Sequence, residues 1–422
     1  APDTELTAEG KPGEWVWTSG GVKLARLDPD YITDIGLPSD FAWPTLHLKG
    51  TTHIYSNGTP PSGSKIFSHQ DPVYGTIIDG WINPPGDTTA GDFYMRGRNY
   101  RGAEVDGDRY NETHIRTVGP GGTANGYEYS EITDVLTDTI NPLQDGDIIQ
   151  VWPRSTPYAP ITFPTPAKSV VIRSAYPNDP TTVATTIIQA GPGQRAVTFS
   201  GNETADSALI GFTIQGDGSP NSGGIYGDNT HARILYNLFI NNKRTGDGGA
   251  INSVAGLIEG NRFGATGQGN QAQNGGALIY CDGTVRKNWF EENFATNTGG
   301  AAYECDGTIV QNFFYKNNAT VNGGALANCD GYILSNVLAS NWCSSGNGGA
   351  MQNCDAIQIE QNTIFKNYVY GSGNRAGGIA NSAVTGNFRN NILWGNTKNG
   401  PPPPGTSILA QLYNSSTISY SC

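Results

Sequence analysis

Two chemically reactive residue types recur in step along the second half of the chain. Four Cys-Asp dipeptides follow one another at spacings of 24, 24 and 25 residues. The cysteines are Cys281, Cys305, Cys329 and Cys354, and the aspartates are Asp282, Asp306, Asp330 and Asp355. A column of thiols could form disulfides or bind a soft metal, and a column of carboxylates could bind Ca²⁺.

The surrounding sequence favours structural roles for both columns. The neighbouring repeats carry Val254 and Ala383 at the cysteine position, which favours a small buried residue there. Disulfides between adjacent repeats stay open, because a stacking distance of about 4.8 Å falls within the Cα separation that a disulfide spans. A metal site has less support, since no His accompanies the cysteines and no Cys-x-x-Cys occurs. For the aspartates, Asp-Gly turn chemistry is the preferred interpretation, and Ca²⁺ is the only cofactor suggested.

Aromatic residues beside an apolar column form a third candidate site. They are Trp289, Phe313, Tyr315, Phe365 and Trp394. If the apolar column points inward, this row points outward and would suit stacking on sugar rings. The alternatives are that a loop or another subunit covers the row, or that the inward and outward assignment is shifted by one residue.

The evidence for catalysis is weaker. A polysaccharide lyase needs a base and a cation or Arg to stabilise an enolate, and Lys287, Lys316 and Lys366, with Arg286 nearby, are the candidates. A solvated lysine is ordinary at these positions. No Asp-Asp dipeptide occurs, and His231 is the only His within the repeats, so the sequence favours a non-enzymatic role.

A repeat positions all of these residues. A Gly-Gly-Ala/Ile element recurs at spacings of 25, 27, 24, 24, 25 and 29 residues, beginning at Gly223, Gly248, Gly275, Gly299, Gly323, Gly348 and Gly377. An Asn-x-apolar element follows each one after 13 or 14 residues, with its asparagine at Asn237, Asn261, Asn288, Asn312, Asn336, Asn362 and Asn391. A period near 24 with several short strands predicts one coil of a parallel β-helix per repeat.

The repeated positions predict three stacks of like residues. Residues at equivalent positions of adjacent coils lie above one another, so we expect the apolar residues to form an inward ladder: Phe239, Phe263, Phe290, Phe314, Leu338, Ile364 and Leu393. We expect the asparagines to hydrogen-bond along the stack inside a turn. The glycine pairs would permit a bend without a Cβ clash.

The predicted architecture is all-β. Residues 146–422 are predicted to form a right-handed parallel β-helix of about 24-residue coils. Residues 1–125, in which short strands alternate with Gly, Pro and Asn clusters, predict a β-sandwich-like domain. Residues 126–145 predict a linker and a capping helix, with apolar residues at helical spacing from Tyr129 to Leu143. Residues 417–422 indicate another coil strand without a cap, so we expect the natural chain to continue or this end to dock onto a partner.

Composition limits the class of partner. The chain has 422 residues, 57 glycines and a net charge of −12, which is a poor surface for nucleic acid. No apolar run approaches the roughly 20 residues of a transmembrane helix. The start at Ala1-Pro2-Asp3, without an initiator Met, fits a mature secreted protein.

Three segments carry a resemblance to a known family. Residues 143–151, 170–174 and 208–214 resemble the strands of secreted right-handed parallel β-helix repeat proteins typical of planctomycete-type bacteria, which share the pectate-lyase-like fold. The family's Pro-Gly-Thr-Tyr turn is replaced by residues 153–158 here, and most of the family has no assigned function. The opening residues 1–4 resemble the start of an Ig-like module.

The resemblance and the residues together favour a structural role. We expect a secreted or cell-surface protein whose rigid β-helix contributes to an extracellular matrix, a surface layer or a filament. Its expected partner is either other copies of the same chain, in a head-to-tail or matrix assembly, or an extracellular polysaccharide. The alternatives are a lyase or hydrolase acting on an acidic glycan, and a glycan-binding adhesin, because a β-helix alone does not determine function.

Overall fold

A computed structural model of the chain describes residues 115–370, 376–401, 408–409 and 411–413, together with the backbone of five strands within residues 1–114. The chain divides into two compact units, Ala1–His114 and Ile115–Cys422. In the first unit, Thr4–Ala8, Trp15–Ser19 and Val22–Leu27 form an antiparallel sheet, and Lys65–Asp71 pairs antiparallel with Gly75–Ile82. The β-sandwich and Ig-like arrangement of this unit stays a prediction.

The second unit is a parallel β-helix, as predicted. Its chain winds through the faces in turn. The coils from Leu257 onward give one short strand to each of four faces, whereas the earlier coils give none to the third face. All of the strand pairs within these faces are parallel except one, at the end of the third face, where Thr397–Lys398 pairs antiparallel with Ile408–Leu409. The right-handed winding stays a prediction from the general handedness of parallel crossovers.

The first and second faces hold eleven and nine strands. In stacking order, the first face is Ile115–Val118, Ile148–Val151, Val171–Ser174, Ala208–Ile210, Arg233–Leu235, Leu257–Glu259, Thr284–Arg286, Thr308–Val310, Tyr332–Leu334, Gln358–Glu360 and Asn387–Arg389. The second face is Ile187–Ala190, Thr213–Gly216, Leu238–Ile240, Arg262–Phe263, Trp289–Glu291, Phe313–Tyr315, Val337–Ala339, Thr363–Phe365 and Ile392–Trp394. Parallel pairing therefore begins at Ile115–Val118, ahead of the predicted start at Gly146.

The third and fourth faces hold seven and ten strands. The third is Gln271–Asn274, Phe294–Thr298, Asn318–Ala319, Trp342–Cys343, Tyr368–Val369, Thr397–Lys398 and Ile408–Leu409. The fourth is Ile161–Thr162, Arg195–Thr198, Gly223–Thr230, Ile251–Val254, Leu278–Ile279, Ala302–Tyr303, Leu326–Ala327, Met351–Gln352, Ile379–Ala380 and Leu412–Tyr413. The predicted strand at 417–422 lies outside the described residues.

The helices are short. Within the described residues they are the 3-10 turn Gly122–Asn125 and the α-helices Ile132–Leu136 and Pro180–Thr185. The helix predicted between Tyr129 and Leu143 thus covers only Ile132–Leu136, because Asp138 Oδ1 accepts the N–H groups of Ile140 and Asn141 in a turn that follows it. Its buried Ile132 and Val135 pack onto the β-helix core, whereas Ile140 is 96% exposed.

One continuous core runs through the coils, and it contains the predicted apolar ladder. Phe239, Phe263, Phe290 and Phe314 are fully buried, and their rings stack with centroids 4.7, 4.6 and 4.6 Å apart. Leu338, Ile364 and Leu393 continue the ladder in the same register. This ladder prediction is confirmed.

Three of the four corners share one backbone device. A residue with positive φ turns the chain, and the next side chain points inward. Lys287 (φ 54°) precedes Asn288 between the first and second faces, Lys316 (φ 54°) precedes Asn317 between the second and third, and Glu304 (φ 46°) precedes Cys305 between the fourth and first. Side chains that repeat at each corner therefore stack inside the β-helix.

The fourth corner, between the third and fourth faces, needs glycine. Gly275 has a φ of 59°, and a Cβ on Gly276 would lie 2.2 Å from the carbonyl oxygen of Gly300 in the next coil. The same approach recurs from Gly300 to Gly324 and from Gly324 to Gly349, at 2.2 and 2.1 Å. The predicted role of the glycine pairs is confirmed.

Candidate functional site

The predicted asparagine column is a continuous hydrogen-bonded ladder. Each member is at most 2% exposed, and each Nδ2 donates to the Oδ1 of the next asparagine over 3.1 Å. Each Nδ2 also donates to a backbone carbonyl on the other side of the stack, as Asn288 does to Ile258 over 2.9 Å. One side chain thus joins three successive coils.

A second asparagine ladder lies at the corner between the second and third faces, and the sequence analysis missed it. Its members are Asn242, Asn270, Asn293, Asn317, Asn341, Asn367 and Asn396, all fully buried. Their Nδ2-to-Oδ1 distances run from 2.8 to 3.0 Å. The signal was available, because most of these asparagines stand five residues after a member of the first ladder.

The cysteine column is a stack of buried thiols rather than of disulfides. Cys281, Cys305, Cys329 and Cys354 are at most 1% exposed and form no disulfide within the described residues, and Cys343 on the third face is buried too. Each column thiol donates to the carbonyl two residues earlier, over 3.4 to 3.6 Å. Burial raises the pKa of the Cys305 and Cys354 thiols well above the usual range. The preferred interpretation, a small buried residue, is the one that the structure shows.

The aspartate column is an exposed ladder of carboxylates. Oδ1 of Asp282, Asp306 and Asp330 each accepts the N–H of the next aspartate over 2.8 to 2.9 Å, and Asp355 accepts the N–H of Ala383 over 2.7 Å. One oxygen of each carboxylate therefore supports the turn of the following coil. Among the described residues, no group of three or more His, Cys, Asp or Glu side chains is arranged to hold a metal ion. Calcium binding stays a prediction.

The predicted aromatic row is split between two outward columns of the second face. Trp289 pairs in register with Phe313, whereas Tyr315 pairs with Glu291 on one side and Ala339 on the other. Phe365 and Trp394 pair with each other further along the second column. Along the stack, the row therefore consists of two separate groups. Trp289, Phe313 and Tyr315 lie in two adjacent coils, whereas Phe365 and Trp394 lie in two adjacent coils further on.

Ring contacts across the two columns join Trp289, Phe313 and Tyr315 into one surface, which we call the aromatic patch. The rings of Trp289 and Phe313 lie 4.3 Å apart, and those of Phe313 and Tyr315 lie 5.9 Å apart. Trp289 is 42% exposed, and Trp394, in the other group, is 72% exposed.

Polar groups at the edge of the aromatic patch hold Trp289 in place. Its indole N–H donates to Glu291 Oε2 over 3.2 Å, and Arg262 donates to the same oxygen over 2.8 Å. The Arg262 side chain is half exposed and retains further donors toward solvent. An exposed indole face beside charged hydrogen-bonding groups is the chemistry that recognises a sugar ring.

Two of the candidate lysine bases are ion-paired. Lys287 lies 3.2 Å from Glu259, which Arg286 also contacts at 2.8 Å, and Lys316 lies 3.7 Å from Glu292. Both ammonium groups are thus engaged by carboxylates of their own face rather than directed toward an open site.

A second aromatic cluster, on the third face, was also missed. The rings of Trp342 and Tyr368 stack with centroids 6.0 Å apart, and Tyr370 meets both edge-on at 5.4 Å. Burial raises the pKa of the Tyr368 phenol, so that this group is neutral at physiological pH. Tyr368 and Tyr370 stand at alternate positions of one strand region, so the cluster could have been inferred from strand register.

Comparison with known proteins does not assign a function to the chain. No family model, curated protein or solved structure matches the chain. No helix in the described part of the chain is both long and apolar enough to cross a membrane.

Proposed function

We propose that this protein is a secreted or cell-surface structural protein whose β-helix serves as a rigid scaffold in an extracellular matrix, a surface layer or a filament. The observation that carries the proposal is the pair of asparagine ladders, which bind successive coils to one another at two corners. Between them lies the stacked phenylalanine ladder. A coil held at two corners and through the core resists bending and local opening.

The resistance to local opening has a physical reason. In the buried interior, a separation between two coils would leave the amide groups of both ladders without partners, at about 1–3 kcal/mol for each unsatisfied group. Local unfolding at low free energy is common in loops and weakly packed elements, and the ladders remove that route inside the β-helix. Such rigidity suits a protein that sets distances between other components.

Two measurements test the scaffold role. Negative-stain electron microscopy of the purified full chain, with and without Ca²⁺, is expected to show fibres or sheets, and antibody labelling of intact producing cells is expected to find the protein at the surface. Dispersed particles in both conditions, together with labelling only after the cells are permeabilised, would contradict the proposal.

The aromatic patch supports a second candidate function, the binding of an extracellular polysaccharide. The observation that favours it is the exposed Trp289 face, which Phe313 backs and the Arg262–Glu291 ion pair borders. Stacking on a pyranose ring and hydrogen bonds to its hydroxyl groups would both be available there.

Affinity electrophoresis in gels that contain neutral or acidic polysaccharides tests this candidate. We expect a polysaccharide that retards the protein to lose that effect on Trp289→Ala. The matched control is Tyr176→Ala, because Tyr176 is an exposed aromatic residue away from the patch. Equal retardation of the wild type and both variants would exclude the patch as the binding surface.

A further inference from the structure

Two arginines from different coils pack over one glycine near the start of the repeats. Arg195 opens the strand Arg195–Thr198 of the fourth face, and Arg244 lies ahead of the next glycine corner. The position of a Cβ on Gly223 would be 3.0 Å from Arg195 Cδ and 2.7 Å from Arg244 Cδ. The missing side chain of Gly223 therefore leaves the space in which both arginine stems lie.

The two guanidinium groups hydrogen-bond only to backbone carbonyls. Arg195 Nη1 donates to the carbonyl of Gly248 over 2.7 Å and to that of Ile225 over 3.3 Å, and its Nη2 donates to that of Asp247 over 3.1 Å. Arg244 Nη1 donates to the carbonyl of Asn221 over 2.8 Å, and its buried Nε–H has no acceptor. Within the described residues, neither arginine forms a salt bridge.

Five other arginines of the β-helix are neutralised by carboxylates, whereas Arg173 donates to the amide oxygen of Gln150. Arg116 pairs with Asp147, Arg154 with Glu131, Arg262 with Glu291, Arg286 with Glu259, and Arg389 with Glu360, at 2.7 to 3.3 Å. In a chain with a net charge of −12, two adjacent arginines without a carboxylate are an exception that costs electrostatic free energy.

The local environment adds to the electrostatic cost of placing these two guanidinium groups together. Burial, followed by the charge of Arg244, lowers the pKa of Arg195 to about 9. The other group that acts on Arg195 is the phenol of Tyr226, whose ring is 38% exposed on the same face. Its hydroxyl group donates to Asp228 Oδ1 over 3.3 Å and supplies no carboxylate to either guanidinium group.

We infer that the Arg195–Arg244 pair is a binding site for an oxyanion, namely a carboxylate or sulfate group. A guanidinium group presents parallel N–H donors that match two oxygens of such a group, and two guanidinium groups would neutralise its charge. The backbone carbonyls hold Arg195 in position before the anion binds, which lowers the ordering cost of binding. The inference does not depend on the proposed scaffold role.

Thermal unfolding of the full chain in sodium sulfate, sodium acetate or sodium chloride of equal ionic strength tests the site with simple anions. Sulfate or acetate is expected to raise the unfolding midpoint of the wild type above that in chloride, because a ligand that binds the folded state stabilises it. Arg244→Gln is expected to reduce the difference to the general stabilising effect of sulfate on folded proteins. The matched control Arg389→Gln removes the same charge from a neutralised pair outside the aromatic patch and is expected to retain the difference.

Polymeric probes distinguish the two sources of the oxyanion. Polygalacturonate presents carboxylates, dextran sulfate presents sulfates, and dextran presents neither. Binding of the preferred polymer, measured by titration calorimetry, is expected to weaken about tenfold or more in Arg244→Gln and less than twofold in Arg389→Gln. No binding of the neutral polymer is expected.

Several results would overturn the inference. They are an equal midpoint in all three salts, an equal response of Arg244→Gln and the wild type, or an equal loss in Arg389→Gln. If circular dichroism shows that Arg244→Gln does not fold, the Arg244→Lys variant replaces it in the test, since lysine keeps the positive charge but lacks the paired N–H donors of a guanidinium group. Unchanged anion binding by that variant would reject a guanidinium site, and weakened binding would support it.

Discussion

Asn312 Oδ1 accepts two hydrogen bonds from Asn288, one from its backbone N–H at 2.9 Å and one from its side-chain amide at 3.1 Å. Asn312 in turn donates from Nδ2 to the carbonyl of Val285 over 2.8 Å and to Asn336 Oδ1 over 3.1 Å. One amide thus satisfies buried groups of the coil before it and the coil after it. Only a side chain with both a carbonyl and an NH₂ group can do this.

Removal of that amide is expected to destabilise the β-helix. Asn312→Ala leaves the buried N–H of Asn288 without its acceptor, takes one of two acceptors from Asn288 Nδ2, and removes the side-chain donor to the carbonyl of Val285. At about 1–3 kcal/mol for a buried unsatisfied group, the free energy of unfolding is expected to fall by about 3 kcal/mol or more. Guanidinium unfolding followed by circular dichroism measures the change.

Asn318→Ala is the control for this prediction. Asn318 is half-buried on the third face and, among the described residues, its side chain makes no hydrogen bond. Its removal is expected to change the free energy of unfolding by less than about 1 kcal/mol. Similar losses in the two variants would show that the ladder does not carry the stability assigned to it.

The glycine corner predicts a contrast between two Gly→Ala variants. Gly276→Ala places a Cβ 2.2 Å from the carbonyl oxygen of Gly300, which the stacked backbone cannot avoid. A Cβ on Gly246 meets nothing within 4 Å, and its φ is not positive. Gly276→Ala is expected to cost about 3 kcal/mol or more, whereas Gly246→Ala is expected to be neutral or to stabilise by up to about 1 kcal/mol. Thermal midpoints that fall equally in both variants would contradict the steric explanation.

Repetition is what made parts of this fold predictable. Asn288 and Phe290 recur in step through successive repeats, so stacking alone places one at a corner and the other in the core. The second asparagine ladder was not predicted because the five-residue spacing between the two ladders is interrupted once, between Asn261 and Asn270, where the chain forms a longer loop.

Features without a repeat could not be inferred from the columns. Trp289 and Tyr315 belong to different outward columns, and only the strand register shows that Phe313 joins them. Arg195 and Arg244 recur nowhere in the pattern, and they meet only because the chain folds both of them over Gly223. Their relation depends on tertiary structure rather than on the periodicity of the sequence.

The aspartate ladder predicts a pH effect of definite sign. Partial burial, together with the like charges of Asp306 and Asp355, raises the pKa of Asp330 above its ordinary value of 3.8. The folded state therefore binds this proton more tightly than the unfolded state does, and stability falls as pH rises through the raised pKa. Asp330→Asn keeps the Oδ1 acceptor for Asp355 and is expected to raise the thermal midpoint at neutral pH, with a gain that fades as the pH falls toward 3.8.

Asp179 supplies the control of opposite sign. It caps the helix Pro180–Thr185, and hydrogen bonds from Thr182 and Thr181 lower its pKa below 3.8. Its contribution to stability is present above 3.8 and is lost as the pH falls through the depressed pKa. Asp179→Asn is therefore expected to lower the midpoint at neutral pH. A shift of the same sign in both variants would refute the assignment.

The thiol column predicts cysteines that do not react in the native protein. Cys305, Cys329 and Cys354 are fully buried, and their thiol pKa values are raised, for Cys329 first by its hydrogen bond with Cys305 and for the other two first by burial. Reaction with a disulfide reagent needs an accessible thiolate, and these sites offer neither access nor charge.

In a Cys422→Ser background, which removes the cysteine outside the described residues, a thiol-exchange reagent at mildly alkaline pH is expected to label nothing before unfolding and five thiols after it. A Cys354→Ser variant is expected to fold normally, because Ser382 continues the column and donates to the Ala380 carbonyl as the thiols do to theirs. The strand register thus places Ser382 at the cysteine position, and the predicted alignment of Ala383 with the cysteines is wrong by one residue. Native labelling of any of the five, or fewer than five thiols after unfolding under non-reducing conditions, would show that the column is open to solvent or already cross-linked.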